Sequence, residues 1–257
     1  MNEIQKNWDA MAKAYEEFTE GKESYSYRIE WPCIQRMLPE LKGKNVLDLG
    51  CGTGRFSFLF EDKEPSVVDG IDLSEQMLTL AKTKSLVRKS KVHFIQGDIT
   101  NVSDYVDKTY DLVFSSTTLH YIQNLQQFFK QLSLVMNEAG IGILSLMHPI
   151  YTSQYPIDQN GKFPRDEEWN VRYLDTSLRS YMQPWIEYND SVEKFLSSSY
   201  HHTFSDYFNA IINTGFQILQ VEEPKPPIEW KERYPERYDS FIETPSYLII
   251  KIKKSSI

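Results

Sequence analysis

Short apolar runs alternate with helix-type stripes along the first 150 residues of this 257-residue chain. We interpret the runs at 45–49, 66–73, 92–99 and 110–116 as strands buried on both faces of a sheet, and 141–147 as a fifth strand. Between the strands, apolar residues recur at three- and four-residue steps, as on a helix with one buried side. Strands that alternate with helices in this way predict an α/β fold built on a mostly parallel sheet.

The two ends of the chain add further elements to this pattern. Residues 1–40 carry apolar side chains at helical spacing and predict a helical cap. Beyond residue 200, a capped helix is predicted to precede two last strands, at 216–221 and 247–252, which form a hairpin. The apolar positions of the cap are Ile4, Trp8, Met11, Ala12, Tyr15 and Phe18. Most of these side chains are expected to pack in the core.

Residues 150–200 interrupt the alternation, because Gly and Pro residues break any regular period there. We predict an insertion that covers the substrate, and the alternative is an aromatic subdomain that only packs. The aromatic residues of this stretch are Tyr151, Tyr155, Phe163, Trp169, Tyr173, Tyr181, Trp185, Tyr188, Phe195 and Tyr200. The chain is thus predicted to be one domain over 1–257, with a cap at 1–40, a core at 41–149, and a last helix and hairpin at 201–257.

A glycine-rich turn joins the first strand to the helix that follows it. Gly50, Gly52 and Gly54 allow a tight turn with no side chain between the backbone and a ligand. A dinucleotide is one candidate ligand, but its fingerprint requires a glycine where Arg55 stands. Asp48, just before the turn, would also repel a pyrophosphate. A ligand that carries a positive charge fits this turn better.

The heptapeptide 48–54, DLGCGTG, resembles the first motif of class I S-adenosylmethionine-dependent methyltransferases. The likeness is to their small-molecule branch, of the ubiquinone and menaquinone biosynthesis type. It implies S-adenosylmethionine as the cofactor, with its carboxylate on backbone N–H groups of the turn and its ammonium near Asp48. It also implies a Rossmann-like, mostly parallel seven-stranded sheet with flanking helices, and a lid inserted between the fifth strand and the last helix.

Acidic residues close the next two strands. Asp72 lies at the carboxyl end of the second strand, where open α/β sheets bind ligands and a carboxylate can accept from two ribose hydroxyls. Asp69 is the rival, but it falls inside the apolar run. By the resemblance, Asp98 at the end of the third strand accepts from the adenine amino group, and the backbone N–H of Ile99 serves a ring nitrogen.

The resemblance implies further contacts at the cap and at the fourth strand. The ring of Tyr15 is expected to close over the cofactor, Ser115 to run beside its methionine portion, and residues 117–121 to line the reaction site. Met77 faces either the core or the adenine. The expected cofactor contacts are Tyr15, Asp48, Gly50, Cys51, Gly52, Asp72, Leu73, Met77, Asp98, Ile99 and Ser115.

Three histidines are candidates for the chemistry. His120 and His148 follow the carboxyl ends of predicted strands and His201 precedes the returning helix, so all three could converge over the cofactor. Methyl transfer to oxygen, nitrogen or carbon is an in-line displacement that depends on alignment, and a general base with a near-neutral pKa assists some acceptors. The alternative for each histidine is a hydrogen-bonded structural role. No paired ligand spacing supports a metal site, and none is predicted.

Composition narrows the possible partners. A net charge of −8 provides no basic surface for phosphates, so the expected partner is a small molecule, aromatic or apolar, rather than nucleic acid. Cys33 and Cys51 are too few for a disulfide framework and favour a reducing compartment. No apolar run approaches membrane-spanning length, which predicts a cytoplasmic protein without a membrane partner and leaves its oligomeric state open.

Two other functions stay open on the sequence alone. A protein can keep the cofactor motifs and bind S-adenosylmethionine without turnover. An NAD(P)-dependent oxidoreductase is the second alternative, which Asp48 and Arg55 oppose.

Overall fold

The computed structural model describes residues 3–21, 24–154, 171–183 and 195–255. The strands in these ranges are β1 (Asn45–Leu49), β2 (Val67–Asp72), β3 (His93–Gln96), β4 (Tyr110–Ser116), β5 (Met136–Met147), β6 (Leu178–Met182), β7 (Leu196–Tyr200), β8 (Phe216–Glu222) and β9 (Tyr247–Lys254). The central sheet has the order β3-β2-β1-β4-β5-β9-β8, and β6 pairs with β7 in a separate antiparallel sheet. In the central sheet, β9 runs antiparallel to the six other strands. The predicted seven-stranded Rossmann-like sheet is confirmed.

Helices cover both faces of the central sheet. They are α1 (Glu3–Thr19), α2 (Trp31–Met37), α3 (Arg55–Glu61), α4 (Glu75–Arg88), α5 (Leu125–Val135), α6 (Pro149–Thr152), α7 (Phe204–Asn213), α8 (Trp230–Arg233) and α9 (Pro235–Glu243). On one face, Phe128 of α5 and Ile211 of α7 pack in one cluster with Leu47, and on the other, Phe60 of α3 packs in a second cluster with Val46. Neighbouring residues of β1 thus face opposite cores, because side chains alternate along a strand.

One predicted boundary differs from the structure. Strand β5 begins at Met136 rather than at Ile141, and its pairing with β4 is irregular where residues 137–140 join the strand. The second helix of the cap begins at Trp31, after a π-helical turn at Ser26–Glu30. Pro32 lies in the first turn of α2, directly after this π-helical turn, and supplies no N–H to the continuous helical backbone.

Polar contacts fix helix α1 against α4. The carboxylate of Asp9 accepts from Ser74 Oγ at 2.6 Å, and Lys84 Nζ lies 2.6 Å from Glu16 Oε1. Near the end of α1, the guanidinium of Arg55 donates to the last backbone carbonyl of the helix. These contacts hold the first helix of the predicted cap beside the glycine turn and the carboxyl end of β2.

The described part of the predicted insertion contains α6, β6 and β7. Buried Arg179 on β6 donates to the backbone carbonyls of Ser153, Arg172 and Asp175 and so ties the small sheet to the chain that leaves β5. The predictions for Tyr155, Phe163, Trp169, Trp185 and Tyr188 fall outside the described residues. Among the helices of the four described ranges, none has the length and apolar content needed to cross a membrane.

Candidate active site

A cavity of about 360 Å³ lies at the carboxyl ends of β1 to β4, with helix α1 forming one wall. Its lining residues are Ile4, Trp8, Tyr15, Gly50, Gly52, Asp72, Leu73, Met77, Gly97, Asp98, Ile99, Thr100, Ser116, Thr117, Thr118, Tyr121, Ile122, Gln123 and Tyr200. Open α/β sheets bind their ligands at this edge, so the cavity is the candidate active site.

The glycine turn between β1 and α3 contributes part of the lining. Gly50 and Gly52 have φ angles of 72° and 54°, in the left-handed region that favours glycine. A Cβ atom at Gly50 would meet Thr118 Oγ1 at 2.2 Å, whereas a Cβ atom at Gly52 would meet nothing within 4 Å. Gly50 is therefore required for packing against Thr118, and Gly52 leaves open space that a bound ligand can fill.

Asp72 lies at the carboxyl end of β2 and lines the cavity. Its Oδ2 accepts from the N–H of Gly52 and its Oδ1 from the N–H of Ser74, both at 2.8 Å. Burial raises the pKa of this carboxyl to about 6, although the backbone donors act to lower it. Each oxygen keeps a second lone pair for a ligand hydroxyl. The rival Asp69 is buried and accepts from Tyr110 Oη at 2.6 Å, and it does not line the cavity.

Asp98 and Ile99 follow β3 and both line the cavity. Oδ1 of Asp98 accepts from the backbone N–H and from the hydroxyl of Thr100, at 2.9 and 2.7 Å. Its Oδ2 has no hydrogen-bond partner among the residues that the structure describes, so it can accept from a ligand amino group. Leu73 and Met77 add apolar surface to the lining.

Three side chains expected at the cofactor lie behind the lining. Asp48 is buried and accepts from Ser57 Oγ at 2.6 Å, and burial raises its pKa to about 7. Cys51 is buried as well. The hydroxyl of Ser115 donates to a backbone carbonyl of β1 at 2.9 Å, and its neighbour Ser116 lines the cavity instead, because side chains alternate along a strand. Asp48, Cys51 and Ser115 thus support the site from behind.

His148 and His201, two of the candidate bases, are held by local hydrogen bonds and do not line the cavity. Nδ1 of His148 accepts a backbone N–H and caps α6, and its Nε2 lies 3.0 Å from Glu223 Oε1. The ring of His201 lies 2.8 Å from Thr152 Oγ1 and 2.8 Å from a backbone carbonyl. Burial lowers the pKa of both rings, to about 4 for His201. Both nitrogens of each ring are engaged, which indicates structural roles.

His120 is buried beside the cavity, with its ring centroid 4.1 Å from that of Tyr121. Burial, and to a smaller degree His202, lowers the pKa of His120 to about 3. A ring with this pKa is neutral at pH 7 and is a weak proton acceptor, because an efficient general base has a pKa near the working pH. In the described ranges, no group of three or more His, Cys, Asp or Glu side chains is placed to hold a metal ion.

Aromatic rings line the cavity on the side of helix α1. The ring of Trp8 packs edge-on against those of Tyr15 and Tyr121, with centroid distances of 5.2 and 5.6 Å. Burial raises the pKa of both phenols above the ordinary tyrosine value, so both stay neutral at physiological pH. Tyr15 thus lies at the cavity, as expected from the sequence.

Several lining residues were not predicted. Ile4 and Trp8 belong to the apolar stripe of the cap, and helical spacing alone does not separate a core-facing side chain from one that faces a cavity. Gln123 follows the turn after β4, distant in sequence from the glycine turn, and no local pattern indicates it. Tyr200 ends β7 and lines the cavity; the sequence named it only among the aromatic residues of the insertion predicted to cover the substrate.

The sheet order, the glycine turn and the acids after β2 and β3 define a Rossmann-like protein with a nucleotide-type ligand site. A family model described as a methyltransferase domain matches residues 40–189. A solved structure from Listeria monocytogenes, assigned as an S-adenosylmethionine dependent methyltransferase, has a TM-score of 0.70 and 30% sequence identity, covering 88% of this chain and 97% of that one.

Two named relatives agree with this assignment. The chain is 32% identical over 223 residues to malonyl-[acyl-carrier protein] O-methyltransferase 2 of Ilyobacter polytropus, which covers 83% of this chain and 72% of the relative. It is 30% identical over 146 residues to demethylmenaquinone methyltransferase of Leptospira interrogans, covering 54% and 57% of the two chains. The chain belongs to the S-adenosylmethionine-dependent methyltransferases. The family, enzyme class and cofactor predicted from the sequence are confirmed.

Proposed function

We propose that this methyltransferase acts on an uncharged small molecule of aromatic or apolar character. The cavity has a cofactor half, formed by Gly50, Gly52, Asp72, Met77 and Asp98, and an acceptor half, formed by Trp8, Ser116, Tyr121, Gln123 and Tyr200. Both charged side chains of the described lining, Asp72 and Asp98, belong to the cofactor half. An acceptor with a full charge would lose water in the acceptor half and meet no charged side chain among its lining residues. This distribution of charge carries the proposal.

The cofactor half fits S-adenosylmethionine. The open space at Gly52 would accommodate the amino-acid end, and Asp72 would accept from the ribose hydroxyls. The second carboxylate oxygen of Asp98 would accept from the adenine amino group, and the ring of Tyr15 would cover the ligand. When bound, S-adenosylmethionine supplies a methyl group activated by a sulfonium.

The protein contributes to the reaction by aligning the acceptor with the methyl group and by excluding water. The rings of Trp8, Tyr15 and Tyr121 exclude water from the space where acceptor and methyl group meet. In-line displacement gains its rate from positioning of this kind, and it requires no covalent intermediate with the protein. This dependence on positioning is the same whether the acceptor atom is oxygen, nitrogen or carbon.

Two further features of the proposal concern the chain outside the core. We propose that the insertion at 150–200 covers the acceptor, and Tyr200 of β7, which lines the cavity, supports this role. The two named relatives carry different acceptors in their names, malonyl-[acyl-carrier protein] and demethylmenaquinone, so neither acceptor transfers directly to this chain. A cytoplasmic location stays a prediction from the sequence.

A metabolite-library screen tests the acceptor class. S-adenosylhomocysteine formation is measured with purified protein, S-adenosylmethionine, and matched sets of neutral, anionic and cationic acceptors of similar size. We expect turnover to concentrate in the neutral aromatic and apolar set, and to be lower in the Asp72→Ala variant at a subsaturating concentration of S-adenosylmethionine. Preferred turnover of anionic or cationic acceptors would contradict the proposal and leave the cofactor assignment intact.

A further inference from the structure

Glu30 is a fully buried acid beside the acceptor half of the cavity. It ends the π-helical turn before α2, and its Oε1 accepts from Ser116 Oγ at 2.5 Å. Ser116 ends β4 and lines the cavity. Oε2 of Glu30 is buried and has no hydrogen-bond partner among the described residues. The same holds for the hydroxyl of Ser145, which is paired with Ser116 in the sheet.

An acid in this position is costly to the fold. Burying a carboxyl group that is incompletely hydrogen-bonded disfavours its charged form. Burial raises the pKa of Glu30, and the hydrogen bond from the Ser116 hydroxyl and the charge of Arg55 act in the opposite direction. Arg55 is itself engaged, because its guanidinium donates to Ser24 Oγ and to the end of α1.

The other titratable groups around Glu30 come from several elements. They are Tyr15 on α1, Cys33 on α2, Asp48 on β1 and Tyr247 on β9. None of these four is a cation, so a nearby positive charge on a ligand would add to Arg55 and favour ionised Glu30.

The hydrogen bond from Ser116 to Glu30 fixes the direction of a proton path. Because the Ser116 hydroxyl donates to Glu30, its lone pairs are available on the oxygen that lines the cavity. That oxygen can accept a proton from an acceptor hydroxyl or amine at the moment when its own proton passes to Glu30. The two side chains then act as one unit, with the acid out of contact with the ligand.

We propose that Glu30, acting through Ser116, receives the proton that the acceptor loses during methyl transfer. The inference rests on the proposed function. The bond between the methyl carbon and sulfur breaks and leaves its electron pair on sulfur, while the acceptor heteroatom forms a bond to the carbon. The acceptor proton moves to Ser116 Oγ, the Ser116 proton moves to Glu30 Oε1, and solvent takes the proton after product release. Glu30 is therefore a positioning residue and proton store.

Infrared difference spectroscopy of the full-length protein tests the coupling without an acceptor. The spectrum of the parent minus that of Glu30→Gln identifies the carbonyl band of the protonated acid, and its loss with pH gives the titration midpoint of Glu30. We expect a midpoint lower by about one pH unit or more with saturating S-adenosylmethionine than with S-adenosylhomocysteine, which lacks the sulfonium charge. Ser116→Ala should raise the midpoint by about one unit, since a hydrogen bond to the charged form is lost.

The matched control is Asp69→Asn, a buried acid that does not line the cavity. It should leave the Glu30 band and its midpoint unchanged. Equal midpoints with the two ligands, both bound by calorimetry, would overturn the inference and leave the proposed acceptor class to the result of the library screen. If neither ligand binds to the folded parent, both are overturned.

Kinetics with a hydroxyl or amine acceptor from the library screen add a second readout. Glu30→Gln and Ser116→Ala should each lower kcat by roughly 10²-fold, with cofactor affinity retained, and should remove the acid limb of the pH profile. The double variant should lose no more than either single variant, and Glu30→Asp should restore part of the pH dependence. Additive losses with an unchanged pH profile would show that the two residues are independent and structural. Circular dichroism and thermal melts confirm that each variant is folded.

Discussion

The two halves of the cavity differ in chemistry and in how the chain builds them. The cofactor half takes its acids and glycines from β1, β2, β3 and the turns that follow them, all within residues 45–98. The acceptor half draws Trp8 from α1, Ser116 from β4 and Tyr200 from β7, and carries hydroxyl, amide and aromatic groups without a charge. On the proposed assignment, cofactor recognition is thus largely local in sequence, with Tyr15 the exception, whereas acceptor recognition depends on segments brought together by the fold.

This difference has a physical basis. The cofactor presents hydroxyls, an amino group and positive charges, and each of these needs an acceptor at a fixed place, which strand ends supply. The acceptor half has to exclude water and align one reacting atom, and large rings from separate elements meet that need. Each half can therefore be altered with limited effect on the other.

Replacing residues 155–195 with a short linker should have the largest effect and should separate the roles of the two halves of the cavity most clearly. We expect methylation to be abolished, since the deletion removes the proposed cover of the acceptor half and strand β6, the partner of β7, while S-adenosylmethionine binding by calorimetry stays within a few-fold of the parent. The side chains of the cofactor half lie outside the deleted stretch. Equal loss of binding and methylation would show that the stretch belongs to the core.

Asp72→Ala should weaken S-adenosylmethionine binding rather than acceptor recognition, and its effect should be somewhat smaller than that of the deletion. Two ribose hydroxyls and the N–H groups of Gly52 and Ser74 lose their acceptor, and hydrogen bonds to a charged group contribute about 1.5–3 kcal/mol each. We expect S-adenosylmethionine affinity to fall by more than an order of magnitude with the fold retained. Asp69→Ala serves as the control, and its cofactor affinity should match that of the parent. Unchanged affinity of the Asp72 variant in calorimetry would mean that the ribose site is misassigned.

Asp48→Asn should change the stability of the fold rather than ligand binding in either half of the cavity. Burial raises the Asp48 pKa from 3.8 to about 7, so its contribution to stability is full below pH 3.8 and is lost as pH rises through about 7. The Asp48→Asn variant has no carboxyl group at this position to titrate, so it does not lose stability in this pH range. Its free energy of unfolding minus that of the parent should therefore increase by roughly 3 kcal/mol between pH 5 and 8. Ser57→Ala removes a hydrogen bond that lowers the pKa, and the loss should then extend to higher pH. Parallel stability curves for parent and Asp48→Asn, from urea unfolding without ligand, would contradict a raised pKa.

The cofactor half was largely predictable from the sequence because its signals are local. Gly50, Gly52, Asp72 and Asp98 follow buried strands at positions that the apolar runs define, and all four line the cavity. Ser115 was predicted to face the cofactor, but the side chain that lines the cavity is that of the next residue, Ser116. The apolar run of a strand does not determine which of its last two side chains faces the ligand.

The acceptor half and the proton path were less predictable because burial and long-range contacts decide them. The sequence pattern of a histidine after a strand is the same whether its side chain faces a ligand or the core. Only the fold shows that His120 is buried and that its pKa is lowered. Glu30 precedes α2 in a stretch with no motif, and its bond to Ser116 spans 86 residues of sequence. The irregular start of β5 likewise depends on its pairing with β4.

The contact between Asp9 and Ser74 has a consequence for the order of events in a catalytic cycle. Ser74 donates its N–H to Asp72 and its hydroxyl to Asp9, so one residue joins Asp72, the proposed ribose acceptor, to helix α1. A bound nucleoside that stabilises Asp72 in this geometry would also stabilise helix α1, which forms one wall of the cavity. The conformational entropy of that wall would then be lost when the cofactor binds. We therefore expect S-adenosylmethionine to bind before the acceptor and S-adenosylhomocysteine to leave last.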